Sequence, residues 1–440
     1  MYRSTLMASA LAALAAISYL GTAAVANAAG YKETDLVIGG PDAKLVGTVP
    51  TLSYGNTTYT AQLLDPNLVN AWGVTWGINA MTGVGTPIWV SDNGSGKSTL
   101  YSVTTANPPV ATIRPRVVNI PSPGDLSGGG TPTGNAWNPT LGPGVPASKQ
   151  EFKITGYLFT ATPKCSRTTT PAVFLFATED GTIVGWSADL YPDRQSCLAA
   201  PAAGSNNPGI IAVDNSARGQ GGGQGVGTGK GKGFGLGAVY KGLAISPDGT
   251  FLYVTNFKRG RVEIYNGTFG LVHTFTDPNV PNGYAPFNVS VINGELFVTF
   301  AVQNQERHDD VAGPGNGIVD TFGLSGDNLQ RFATGGALNS PWGMAVAPSS
   351  GFGELSGKLL IGNFGDGKIN AFDPVAGGAS VPLNKSNGQP MVIDGLWALK
   401  FGNGSPTGSP ATMGGASNTL YFTAGPNKES DGLFGALSTH

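Results

Sequence analysis

The residues best equipped for chemistry in this chain are three in a row, His308, Asp309 and Asp310. One imidazole and two carboxylates can hold a divalent cation, with calcium the expected ion, or move a proton. They lie in a long stretch, residues 303–317, where comparable connections elsewhere are far shorter, and long unstructured loops are more often functional than short ones. In an extended segment successive side chains alternate in direction, so all three reach one ion only if the backbone bends. Asp309 and Asp310 are the expected metal ligands. Signatures of higher specificity are absent: there is no Asp-x-Asp-x-Asp-Gly loop, no His-Glu-x-x-His pair and no cysteine cluster. Of three histidines, His440 is the last residue and His273 falls in an expected outer strand, which argues against a histidine-rich catalytic or zinc site. No Gly-x-Ser-x-Gly elbow leads into a helix, which argues against a serine hydrolase. Gly227-Thr228-Gly229-Lys230-Gly231-Lys232 is not a phosphate loop, because Lys230 precedes neither Ser nor Thr and no helix follows.

The elements that must position these groups are short strands. A phrase of alternating apolar residues with a polar or small one in its last two positions returns six times: Ile88 to Asp92, Phe174 to Thr178, Leu252 to Asn256, Leu296 to Phe300, Leu359 to Asn363 and Leu420 to Ala424. Repetition of short strands at this spacing marks an all-β fold, a β-propeller. Before most copies stands an inner strand opening on a recurrent pair: Trp72-Gly73, Lys241-Gly242, Phe287-Asn288, Trp342-Gly343 and Trp397-Ala398. Asp-Gly and Asn-Gly turns, as in Asp248-Gly249 and Asn293-Gly294, suit tight hairpins. The second unit departs from the pattern, its inner strand falling somewhere between Thr133 and Gly156. Six blades are expected, with five or seven as alternatives. The chain ends on a third strand, Gly432 to Leu437. An N-terminal strand, Glu33 to Ile38 or Thr58 to Leu64, is expected to close the ring and cover its open edge.

In such a ring the starts of inner strands share one face with the loops between second and third strands. That face collects Asp92-Asn93, Glu179-Asp180, Asn256, Lys258, Arg259, His308 to Asp310, Asn363, Asp366, Asn427, Glu429 and Asp431. Trp72, Phe287, Trp342 and Trp397 surround the channel mouth, and with His308 they are the expected ligand-binding rim. Turn formation explains many of the Asp and Asn residues, and packing between blades is the competing explanation for the tryptophans.

Bulk properties narrow the partners. Arg3, the apolar run Leu6 to Leu20 and Ala26-Asn27-Ala28 compose an export signal over residues 1–28, and residues 29–440 are expected to form a single domain, periplasmic or secreted. A net charge of −2 excludes the basic face that nucleic acid requires. No later segment is apolar enough for a membrane span, and a monomer is expected. Cys165 and Cys197, the only cysteines, are expected to pair once exported. Residues 218–237 are glycine-rich and expected to be a mobile insertion.

Tyr253-Val254-Thr255-Asn256 and its counterparts resemble NHL and YVTN propeller repeats. The segments Leu64 to Gly73, Phe176 to Ile183, Gly283 to Asn288, His308 to Gly317, Asn339 to Gly343, Gly362 to Gly367 and Tyr421 to Asn427 together resemble a family of exported bacterial propellers of no assigned activity. The resemblance implies fold and export. The expected function is binding of a small ligand or an envelope or extracellular protein at one face of the ring, without catalysis. The alternative is a calcium-dependent hydrolase or lyase with a metal at the channel mouth, an analogy with the gluconolactonases at the level of fold.

Overall fold

The computed structural model describes residues 30–78, 84–160, 164–204, 206–216, 237–404 and 413–439. The expected export signal and residues 218–236 of the glycine-rich segment lie outside the described residues.

Antiparallel sheets follow one another along the chain. The first pairs Ala71–Thr75, Ile88–Asp92 and Lys97–Val103, the last also bonding Ala111–Ile113 and Val118–Asn119. The second runs Pro132–Trp137, Phe174–Thr178, Thr182–Trp186, Ile210–Asp214. The third runs Tyr240–Ile245, Phe251–Asn256, Arg261–Asn266, Leu271–Phe275. The fourth runs Tyr284–Ile292, Glu295–Val302, Ile318–Phe322, Gln330–Thr334, and the fifth Pro341–Val346, Leu359–Asn363, Ile369–Asp373, Gly377–Pro382. In the sixth, Leu396–Phe401, Leu420–Ala424 and Gly432–Thr439 are followed in space by Tyr31–Gly39, which pairs antiparallel with Gly432–Thr439. Leu63–Leu64 then adds in parallel to Tyr31–Gly39. The repeated phrase is the second strand of every sheet, and the fold is a β-propeller. The inner strand that the sequence left unplaced is Pro132–Trp137, where Thr133-Gly134 stands in for the aromatic-Gly pair.

That pair has a physical cause. Every inner strand carries a register shift at it, between Ala71 and Val74, Pro132 and Asn135, Tyr240 and Leu243, Pro286 and Asn288, Pro341 and Gly343, and Leu396 and Leu399. A bulge re-aims the side chain beside it. The glycine lies against the neighbouring inner strand: a Cβ on Gly73 would stand 2.5 Å from the Thr133 carbonyl oxygen, and one on Gly343 2.5 Å from that of Trp397. No larger residue fits without moving backbone.

The polar residue that closes the phrase also has a cause. Gly242 N–H donates to Thr255 Oγ1 at 2.6 Å, and the same hydroxyl donates to the Phe287 carbonyl of the next sheet at 3.2 Å. Thr423 repeats this, accepting from Ala398 N–H at 3.1 Å and donating to the Trp72 carbonyl of the first sheet. Thr133 Oγ1 reaches the Tyr240 carbonyl and Asn288 Nδ2 that of Trp342. The bulge frees the backbone groups, and the hydroxyl or amide satisfies them while bolting two sheets together. Apolar faces fill the space between, as where Tyr253 and Ile264 meet Val289, Leu296 and Val298.

A smaller sheet, Lys153–Phe159, Cys165–Pro171 and Leu190–Tyr191, is carried by the second sheet together with the short helix Arg194–Ala199. Cys165 and Cys197 form a disulfide with Cα atoms 6.1 Å apart. It joins the first residue of a strand to this helix. Thr58 belongs to a separate sheet, Ala43–Val46, Val49–Tyr54, Thr57–Thr60. Among the described residues no helix is long and apolar enough to cross a membrane.

Candidate functional site

The bulges turn Trp72, Phe287, Trp342 and Trp397 toward one another at the start of the inner strands. All are buried, between 0 and 4% exposed. Trp397 is the centre, stacked on Trp72 at 3.5 Å and on Phe364 at 3.9 Å, with Trp342 edge-on to both Trp72 and Trp397 at about 6 Å. Phe287 completes the group, 5.9 Å from Trp397. These aromatics are therefore a packed plug, the floor of the site rather than an open wall.

The third sheet breaks the aromatic pattern. Its inner strand places Lys241 where the first, fourth, fifth and sixth sheets place Trp or Phe, and Lys241 is 2% exposed. Its ammonium lies over the Trp72 ring at 4.8 Å, an arrangement that attracts a cation to the ring face. It donates to Glu179 Oε1, and Asp309 Oδ1 stands 3.5 Å away. Asn93 Nδ2 donates to the other Glu179 oxygen at 2.9 Å. Asn70 donates to Asn93 and, at 2.7 Å, to Glu429, and accepts from the Trp397 indole N–H at 3.1 Å. His308 Nδ1 lies 2.7 Å from Asp309 Oδ1 and 3.9 Å from Glu179 Oε1. The cluster thus joins side chains from the first, second, third, fourth and sixth sheets directly above the plug.

Its electrostatics follow from burial and neighbours. Burial alone would lower the Lys241 pKa, but Glu179 and Asp309 outweigh it and raise it. Burial opposes ionisation of Asp309 too, yet His308 and Lys241 hold its carboxyl well below the usual range. Burial, reinforced by Glu179, pushes Glu429 up to about 7. Three carboxyl groups thus face one ammonium.

The expected loop residues divide. His308 and Asp309 make the direct contacts of the cluster, while the Asp310 carboxyl is buried beside it: its Oδ2 has no hydrogen-bond partner, and burial raises its pKa although Ser340 and Lys241 pull the other way. Glu179, His308 and Asp309 offer ligand atoms within 4.8 Å of one another, an acidic and imidazole group of the kind that holds a metal. The Lys241 ammonium already bridges both of its carboxylates. A calcium ion takes six to eight oxygens, and this set offers an imidazole nitrogen and a fixed cation instead. Other expected rim residues have structural partners: Asp92 accepts from Thr99 and Asn363 donates to Asp366 within their own hairpins, and Asp180 accepts from Thr131 at the start of its sheet. Sequence reasoning missed Lys241 as a site residue. The available signal was a lysine in a slot that other repeats fill with an aromatic.

No family model matches the chain. It is similar to three uncharacterised proteins of Acanthamoeba polyphaga mimivirus. One is 31% identical over 207 residues, 45% of this chain and 48% of the relative; a second is 32% identical over 208 residues, 46% and 51%. The third is 28% identical over 284 residues, 63% and 44%. The chain spans about half the length of the curated relatives it matches. Among solved structures, a streptogramin B lyase is 12% identical with a TM-score of 0.43, covering 93% of this chain and 97% of its own. Virginiamycin B lyase from Staphylococcus aureus is 12% identical with a TM-score of 0.40, covering 85% and 98%. A luciferin-regenerating enzyme is 10% identical with a TM-score of 0.42, covering 84% and 92%.

Proposed function

We propose that residues 29–440 form one closed, six-bladed ring, that the chain is exported, and that it binds a small cationic ligand at the channel mouth without transforming it. Closure is supported by the pairing of Tyr31–Gly39 with the last strand and by the Thr423 bolt from the sixth sheet to the first. The observation that carries the binding reading is the convergence of Glu179, Asp309 and Glu429 on a single buried ammonium, above a floor of Trp72, Phe287, Trp342 and Trp397. This surplus of carboxyl groups, two of them buried or half-buried, favours a ligand that brings positive charge. A cup of this kind suits a small molecule better than a protein surface. His308 serves as a hydrogen-bonding wall.

The second reading, a divalent cation held by Glu179, His308 and Asp309, rests on the mutual approach of those three groups. It requires Lys241 to leave both carboxylates. Isothermal titration separates the two readings. Putrescine and glucosamine should bind saturably, and Asp309→Ala with Glu429→Gln should abolish the heat. Binding of calcium or zinc in place of the amines would support the metal reading. Heats absent for all four probes would overturn both.

A further inference from the structure

Below the plug the channel widens into a cavity of about 640 Å³, at the opposite end of the inner strands from the charged cluster. That is the size of a pocket for a small organic molecule. Apolar side chains supply much of its wall: Trp76, Trp137, Met344 and Leu399 line it. Trp76 is fixed to the neighbouring inner strand by its indole N–H, which donates to the Phe401 carbonyl at 2.9 Å. Among the described lining residues one is charged, Lys400. Its ammonium lies 5.2 Å from the centre of the Trp76 ring, and no carboxylate among the described residues pairs with it. The contrast with Lys241, held by two carboxylates, is complete.

An isolated cation in an aromatic-walled cavity describes a ligand with an anionic head and an apolar body.

We propose that this channel cavity is a binding site for a small organic carboxylate, its head against Lys400 and its apolar body between Trp76, Trp137 and Met344. The carboxylate supplies the counter-charge that the wall withholds. Burial holds the Lys400 ammonium below its ordinary pKa, and an ion pair would offset that cost.

The test is isothermal titration of the purified protein with 2-naphthoate and octanoate, and with 2-naphthamide as the neutral counterpart. Saturable binding of at least one carboxylate is expected, with the amide weaker by roughly tenfold or more, the effect of one charge-assisted contact. Lys400→Met should weaken carboxylate binding by a similar factor, Lys400→Arg should retain it, and Asp309→Ala at the other end should leave it unchanged. Absence of saturable binding by both carboxylates overturns the proposal, as does an amide that binds equally well. The acid and amide comparison uses unaltered protein, so it decides the matter even if Lys400→Met fails to fold. Because the two sites lie on opposite sides of the plug, failure here leaves the amine site untouched.

Discussion

Replacing Lys241 by methionine should expose what the buried ion pair contributes. The side chains of Lys241 and Glu179 are 2% and 7% exposed, so water cannot stand in for a lost partner. Lys241→Met leaves Glu179 charged and buried with only Asn93 donating to it. Breaking a buried pair by removing one member costs about 3–5 kcal/mol. Asp309 loses a partner as well, but its side chain is 57% exposed and solvent replaces most of that interaction. At roughly 2.1 cal/mol/K per residue, a folded unit of about 400 residues loses on the order of 1 °C in Tm per kcal/mol, so a fall of about 4–6 °C is expected. Glu179→Gln alone should also destabilise, since it leaves the buried ammonium over Trp72 with only the more exposed Asp309 as a direct partner. The double variant, Lys241→Met with Glu179→Gln, removes both charges and should recover most of the loss, because a neutral pair of similar volume often matches a buried ion pair. Urea unfolding followed by far-UV circular dichroism gives the four stabilities and the coupling energy, which should reach about 5 kcal/mol or more if both single losses are large and the double loss is small. Additive losses, or single losses under about 1 kcal/mol, would refute the reasoning.

Other outcomes follow from the same structure. Thr423→Val should cost about 2–4 kcal/mol by stranding the Ala398 N–H and the Trp72 carbonyl, whereas Thr423→Ser should keep most of the stability, both read by urea unfolding. Burial raises Glu33 to about 8, with Asp35 adding to it, and burial raises Glu429 and Asp320 to about 7. The folded state therefore keeps protons that the unfolded chain releases from about pH 4.5 upward, so stability should be full below that and fall as pH rises through 8. Glu33→Gln should flatten that decline in a Tm series from pH 5 to 8. Reduction of Cys165–Cys197, which closes a separation of 32 residues, should remove about 3–4 kcal/mol of restraint on the smaller sheet and speed proteolysis there first.

Much of the architecture was legible because its causes are local. Period-two alternation and the Asp-Gly and Asn-Gly turns are set by neighbours a few residues away. The inner strand Pro132–Trp137 escaped notice because Thr133 lacks the aromatic that marks the other copies, although Gly134 obeys the same steric limit. The site was legible in part. The topology brought His308, Asp309, Glu179 and Glu429 to one face, as their positions between second and third strands imply. What could not be read was which groups meet across the ring. Glu179 and Lys241 are far apart in sequence, and a lysine in a strand is ordinarily expected to reach solvent. The tryptophans were recognisable as a set, but their burial depends on how inner strands distant in sequence pack against one another. Asp309 and Asp310 were expected to act together, and adjacent residues of an extended segment seldom do.

The plug has an optical consequence. Trp72 and Trp397 are stacked 3.5 Å apart with ring planes 21° from parallel, close enough for their electronic transitions to couple. Such coupling splits the indole absorption into paired bands of opposite sign in circular dichroism. The spectrum of this protein should therefore carry a signature of two indoles rather than of strands alone. Trp72 lies under the Lys241 ammonium and Trp397 is bonded to Asn70, so the couplet is wired to the charged cup. Any molecule that shifts Lys241 or Asn70 would be visible without a dye, a label or a known reaction.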